Sequence, residues 1–131
     1  MIERLHQLEA ERKSFAFETT LSGLSYLQLL KKARQDGYKI ILFFIWLENF
    51  RIAKSRVEVR VKHGGHNIPD DVIERRYKKG IQNFSTYTSV VNDWYVYDNS
   101  GKKYVLSGKS VNGSAEIFNF DITNKLLGNE C

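Results

Sequence analysis

The apolar residues of this chain change their spacing along its length, and each spacing predicts an element. Ile2, Leu5 and Leu8 recur every third position, so residues 1–13 read as a helix with one apolar face. Ser14 to Phe17 is a short apolar run ending in Glu18-Thr19-Thr20, read as a buried strand whose C-terminal end carries an acid and two hydroxyls. Leu24, Leu27, Leu30 and Ala33 again stand three apart, which predicts a helix from Leu24 to Asp36, stopped by Gly37. Tyr38 to Leu47 (YKIILFFIWL) is almost unbroken in apolar character, the pattern of a strand buried on both faces. Strand, helix and strand in succession make a βαβ unit, so the fold class read here is α/β, a parallel sheet flanked by helices.

Beyond Leu47 the pattern turns polar and basic. Residues 49–61 read as a basic helix broken at His63-Gly64-Gly65-His66. Pro69 suits the first turn of a second helix, Asp70 and Asp71 complement its N-terminal dipole, and the helix is expected to run to about Val90. Asp93 to Tyr97 reads as a strand ended by the turn signal Asp98-Asn99-Ser100-Gly101. Tyr104–Leu106 and Glu116–Phe120 are expected to pair as a terminal hairpin. The whole of 1–131 reads as a single domain, with 48–91 as a helical lid region and 102–131 as C-terminal hairpin and tail.

Composition narrows this. With 42% hydrophobic and 13% aromatic residues among 131, the chain buries a core. A net charge of +5 points to an anionic partner without naming it. The single cysteine, Cys131, closes no intramolecular disulfide, and the charged N-terminus lacks the apolar core of a signal peptide. Ile40 to Leu47 is too short for a membrane helix. The expected location is cytoplasmic, with no membrane partner.

The candidate chemistry lies in an arginine arm. Arg56 and Arg60 are four apart and share a helix face, while Arg75 and Arg76 follow a glycine hinge. Two such helices make a clamp for phosphate oxygens, which the planar guanidinium binds bidentately. The bland alternative is two solvated helix faces, with Glu58 and Glu74 pairing locally. Glu18, at the C-terminal end of its expected strand, stands where α/β sheets bind ligands and can hold Mg²⁺ through water or orient a hydroxyl. The alternative is a helix start capped by Thr20 or Ser22. Gly108-Lys109-Ser110 copies the end of a phosphate loop, but Lys103 stands where its first glycine belongs. His63 and His66 lack a third metal ligand. Trp94-Tyr95-Val96-Tyr97 reads as core rather than as a base-stacking platform.

Taken in order, the motifs form a set. Phe15-Ala16-Phe17-Glu18-Thr19-Thr20-Leu21-Ser22-Gly23 is followed by Gly37-Tyr38, Arg56-Val57, Arg60-Val61 and Gly64-Gly65-His66-Asn67-Ile68-Pro69. Ile73-Glu74-Arg75-Arg76-Tyr77, Asn83-Phe84 and Tyr97-Asp98-Asn99-Ser100-Gly101 complete it. Over roughly residues 10 to 101 the chain resembles the zeta-toxin family of P-loop kinases, which phosphorylate nucleotide sugars such as UDP-N-acetylglucosamine with ATP and Mg²⁺. The resemblance implies catalytic roles for Glu18, Arg60 and Arg76, with Glu18 holding Mg²⁺ indirectly. It implies substrate contacts from Thr19, Thr20, Arg56 and Arg75. His66 and Asn67 would belong to the moving lid, and Asp98 and Asn99 would lie beside the nucleotide base. The implied partners are a nucleotide or nucleotide sugar and an antitoxin.

The chain departs from that pattern at its start. About a dozen residues precede the FAFETT stretch, and they hold neither a GxxxxGK(S/T) loop nor the catalytic aspartate that follows it in the family. Without the loop the phosphates lose their cradle of backbone amides, and without the aspartate the attacking hydroxyl loses a base that contributes about 10²–10⁴-fold. The expectation is a truncated kinase-like domain, inactive or only nucleotide-binding. The missing strand leaves a sheet edge to be filled by rearranged pairing, by a homodimer partner, or by a complementing N-terminal fragment. The rival reading is a non-catalytic basic module for nucleic acid or a protein partner.

Overall fold

The computed structural model describes residues 2–128, so Cys131 lies outside the described residues. Its elements in order are α1 (Ile2–Ala10), α2 (Leu27–Gln35), β1 (Ile41–Trp46), α3 (Phe50–Lys62), α4 (Asp70–Thr88), β2 (Asp93–Asp98), β3 (Val105–Val111), β4 (Ser114–Ile117) and α5 (Phe120–Leu127). The four strands form one mixed sheet in the order β1-β2-β3-β4. β1 and β2 run parallel, with Ile41 opposite Asp93 and Trp46 opposite Asp98. The other two pairings are antiparallel, with a bulge at Val96/Tyr97.

The α/β class holds, while the parallel unit is displaced along the chain. Residues 14–17, expected as a strand, are irregular. Phe15 packs on Tyr38 and Phe17 on Tyr26 with ring centroids 5.8 and 4.9 Å apart, so this run is anchored by its rings and not by a strand ladder. The βαβ crossover is instead β1-α3-α4-β2, and β1 is one of the two edge strands of the sheet, β4 the other.

One face of the sheet carries the core. Leu42, Phe44, Trp46, Trp94 and Val96 pack with Leu27 and Leu30 of α2, Phe84 and Tyr87 of α4, and Ile122 and Leu126 of α5. Phe84 is fully buried and meets Phe44 and Trp94 edge-on, at 5.0 and 5.6 Å between centroids. The alternate residues of β1 correct the expectation of a strand buried on both faces. Ile41, Phe43 and Ile45 remain 45%, 59% and 44% exposed. A period-two strand needs a layer on each side to bury every residue, and the packed helices lie on the Leu42–Phe44–Trp46 side.

Two further departures concern the C-terminal third. The hairpin turns at Asn112-Gly113, both at positive φ, as a two-residue connection between right-twisted strands requires. Residues 120–127 are a helix whose first amides are capped by the Asn119 side chain, which accepts from the Ile122 amide at 3.2 Å. Gly108-Lys109-Ser110 lies inside β3, and a Cβ at Gly108 would come within 2.7 Å of the Thr123 side chain. Its glycine is there so that α5 can approach the sheet.

Asp93 joins the two halves of the sheet. Its buried carboxylate accepts from the Asn112 amide at 3.0 Å and pairs with Lys39 Nζ at 3.3 Å. The Asn112 amide first, and Lys39 after it, hold its carboxyl below the ordinary aspartate range despite burial. A depressed folded-state value contributes stability that is present above the unfolded-state value and lost as pH falls through the folded one. The melting temperature is therefore expected to drop on acidification below the ordinary aspartate range, and Asp93→Asn to flatten that part of the profile. Melting curves across the acid range check it.

Candidate functional site

The C-terminal ends of β1 and β2 are stitched together. Asn99 N–H donates to the Trp46 carbonyl at 2.9 Å, and the Glu48 amide donates to Ser100 Oγ at 2.8 Å. Asp98 accepts from the Ser100 amide at 2.9 Å in an Asx turn. In an open α/β sheet this is the edge at which ligands bind. Both helices of the arm reach it. Tyr77 OH donates to the Leu47 carbonyl at 2.7 Å, seating α4 on the end of β1, and burial raises the tyrosine's pKa. Arg56 Nη2 donates to the Asn99 carbonyl at 2.9 Å and more weakly to Gly101 at 3.4 Å, tying α3 to the turn after β2.

Arg56 is thus engaged with backbone carbonyls, a positioning role for the 98–101 turn. Arg60, one turn on, and Arg75 are exposed, and Arg76 is half-buried. Among the described residues every ion pair is made by a lysine: Lys13–Glu11, Lys32–Glu9, Lys39–Asp93, Lys54–Asp70 and Lys78–Glu74. Glu74 pairs locally, as the alternative of a solvated helix face has it, with Lys78 one turn on at 3.0 Å. No described carboxylate pairs with the guanidinium groups of Arg60, Arg75 or Arg76.

The Gly64-Gly65 pair acts as a helix cap. Gly64 has φ 94°, its amide donates to the Val61 carbonyl at 3.0 Å, and the Gly65 amide donates to Arg60 at 2.7 Å. This is the paired 5→2 and 6→1 closure of a Schellman motif. A Cβ at Gly65 would lie 2.9 Å from the Arg60 carbonyl oxygen. His63, His66 and Asn67 are exposed on the connecting loop. No group of three or more His, Cys, Asp or Glu suited to a metal occurs among the described residues.

The Glu18–Gly23 segment is a strap on α4. The Thr20 carbonyl oxygen would be 2.7 Å from a Cβ at Gly80. Asn83 Nδ2 donates to the Leu21 carbonyl at 2.8 Å, and Tyr87 OH to the Gly23 carbonyl at 2.6 Å. Thr20 and Ser22 hydroxyls share a hydrogen bond at 2.8 Å. Leu21 is buried, yet its φ is 59°, a left-handed conformation that costs a non-glycine residue of order 1 kcal/mol. Gly80, Asn83 and Tyr87 follow Arg76 at spacings of four, three and four, so all four share one stripe of α4. The Thr20 carbonyl therefore meets α4 at Gly80, one helical turn beyond Arg76. Glu18 and Thr19 are exposed and, contrary to the strand expectation, belong to this strap.

Sequence reading passed over Gly80 and Tyr87 and gave Asn83, quoted only within a motif, no role. Their signal was a helical stripe of small and polar residues beside the apolar one. An open groove of about 490 Å³ between α3 and α4, lined by Arg51, Lys54, Glu58, Asp70, Asp71 and Glu74, carries both signs of charge and lies apart from the strap.

The comparisons with known proteins are sparse. A Haemophilus influenzae protein, described as an uncharacterized protein, is 40% identical over 63 residues, which are 48% of this chain and 45% of that one. The shared stretch thus spans about half of its relative's length. No protein-family model matches the chain, and no solved structure matches it. No described helix is long and apolar enough to cross a membrane.

Proposed function

We propose that the chain is the lid-bearing part of a zeta-toxin-like phosphotransferase and binds the polyphosphate of a nucleotide, ATP or a UDP-sugar, at the C-terminal end of β1 and β2. The observation that carries this reading is the strap: a strained, buried Leu21 and a glycine-dependent contact seat the Thr20 backbone on α4 at Gly80, one turn beyond Arg76, which no described carboxylate pairs. Strain of this kind persists where surrounding structure fixes it for a purpose. Arg60, Arg75 and Arg76 supply the charge for phosphate oxygens, and Thr19 and Thr20 offer hydroxyls to a sugar. Arg56 holds the turn bearing Asp98 and Asn99, where a base would rest. Glu18 stands exposed within the strap, available to a hydrated Mg²⁺, which when bound would offset phosphate charge. His66 and Asn67 lie on the loop between the two arginine helices.

The sequence supplies no phosphate loop and no aspartate base, so binding, not turnover, is the function proposed for these residues. A thermal-shift titration with Mg-ATP and with UDP-N-acetylglucosamine is the test. A saturable rise in melting temperature, reduced in Arg76→Ala, is expected. No rise with either ligand contradicts the proposal. A response to single-stranded nucleic acid that weakens steeply with salt instead favours the basic-module reading.

A further inference from the structure

The loop between β2 and β3 gathers positive charge and one exposed ring at the end of the sheet where ligands bind. Asp98 and Val105 are direct cross-strand neighbours, so Asn99 and Tyr104, the next residue on each side, form the two feet of this loop. Tyr104 is 63% exposed. Its ring stands at 87° to that of Tyr97, with centroids 6.4 Å apart, so a neighbour orients it although water reaches most of it. An edge-on pair covers at most one face of the ring and leaves the other open to a planar partner. Lys102 and Lys103 are exposed in the same loop and pair with no described carboxylate. Arg56 reaches the loop from α3, donating to the Asn99 and Gly101 carbonyls. Asn99 spends its backbone on Trp46 and Arg56 and keeps its side-chain amide free of any described partner.

We propose that Tyr104 is the platform on which the base of the nucleotide stacks, with the Asn99 side-chain amide meeting the edge of that base. This inference rests on the nucleotide reading above and adds the residue that recognises the base. A single exposed aromatic residue is ordinary on a protein surface. Tyr104 differs in its setting, because an oriented ring, a free amide and the cations Arg56, Lys102 and Lys103 share one loop. Cations alone select any anion, and a ring alone selects any flat apolar group. The two together match a planar base carried on a phosphate chain, the pairing by which proteins hold nucleotides without reading their sequence. Arg60 follows Arg56 by one turn of α3, roughly 6 Å along the helix, so a nucleotide seated on Tyr104 passes Arg56 on its way to Arg60. Adenine and uracil both offer a flat π face, so the ring accepts either.

The test is calorimetric titration of the full chain with Mg-ATP, with UDP-N-acetylglucosamine and with inorganic Mg-tripolyphosphate, which has the charge and no base. Tyr104→Ala, at an exposed position and so compatible with folding, is expected to raise the nucleotide dissociation constant roughly tenfold, the loss of one base–ring stack. The same variant is expected to leave tripolyphosphate affinity unchanged. Tyr104→Phe keeps the ring and is expected to bind as the unmodified chain does. Phe43→Ala, which removes a comparably exposed ring on β1, is expected to alter no affinity. A weakening confined to Mg-ATP seats adenine on the ring, and one confined to UDP-N-acetylglucosamine seats uracil; either supports the stack. Nucleotide affinities indifferent to Tyr104→Ala, with tripolyphosphate still bound, overturn the stack and leave the polyphosphate reading standing. An equal loss for tripolyphosphate also overturns it, since the ring then supports the loop and not a base. If the unmodified chain binds none of the three, both readings fall together.

Discussion

Phe84→Ala lowers the free energy of unfolding by about 3–5 kcal/mol, as truncating a fully buried aromatic does when its surroundings close only partly around the cavity. Phe84 is the point at which α4 meets the sheet, with Phe44 and Trp94 both edge-on to its ring. Its loss removes apolar burial and two aromatic contacts together. Against a total of roughly 5–15 kcal/mol for a domain, this leaves the variant close to unfolding at ordinary temperature. Phe84→Leu, which keeps most of the volume, is expected to lose less than half as much. Urea unfolding reads both. A midpoint shift with unchanged slope reports stability alone, and a Phe84→Ala midpoint near that of the unmodified chain contradicts the packing described.

Gly80→Ala is expected to destabilise by about 2 kcal/mol, although alanine is the better helix former by up to about 1 kcal/mol. The added methyl would meet the Thr20 carbonyl oxygen at 2.7 Å, and backbone cannot swing aside as a flexible side chain does. The strap must retreat. That strains the Asn83 and Tyr87 hydrogen bonds to the Leu21 and Gly23 carbonyls, each worth roughly 1 kcal/mol, and lifts Leu21 from the core. The sign of the change distinguishes the two effects. A rise in melting temperature would mean that helix propensity dominates and that the strap is only loosely held. If the strap forms the site, Gly80→Ala also weakens the response to nucleotide, and urea unfolding alongside ligand titration measures both consequences.

The middle of the molecule was the legible part. The YKIILFFIWL run, Pro69 followed by two aspartates, and the DWYVY stretch all marked their elements within a few residues, because each carries a local signal the tertiary structure reinforces. The FAF stretch misled because alternating rings look the same whether a neighbouring strand or two tyrosines receive them. The burial of β1 was misread because period-two geometry says which residues share a face, and nothing local says whether a second layer exists. In the C-terminal third the signals were present and outweighed. Asn112-Gly113 is a strong hairpin dipeptide, and Asn119 with Ile122 and Leu126 spells a capped amphipathic helix. Reading Glu116–Phe120 as a strand consumed the cap.

The candidate site was legible as residue types and opaque as roles. Four arginines stood out by composition, yet only the structure separates Arg56, spent on the Asn99 carbonyl, from Arg60, Arg75 and Arg76, which no described carboxylate neutralises. Gly64 and Gly65 stood out as a hinge, whereas their φ values and hydrogen bonds make them the cap of α3. The strap depends on Gly80, whose role is a distance between backbone and a missing side chain. No spacing in a sequence encodes such a distance.

The most direct measurement is an amide NMR titration of the isotopically labelled chain with Mg-ATP. The account predicts saturable shifts concentrated at Thr19, Thr20, Arg60, Arg75, Arg76 and Asn99, with the sheet face at Phe43 and Tyr95 unmoved. Shifts confined to other residues, or none at saturating nucleotide, would contradict the assignment of the strap and the arginine helices as a polyphosphate site.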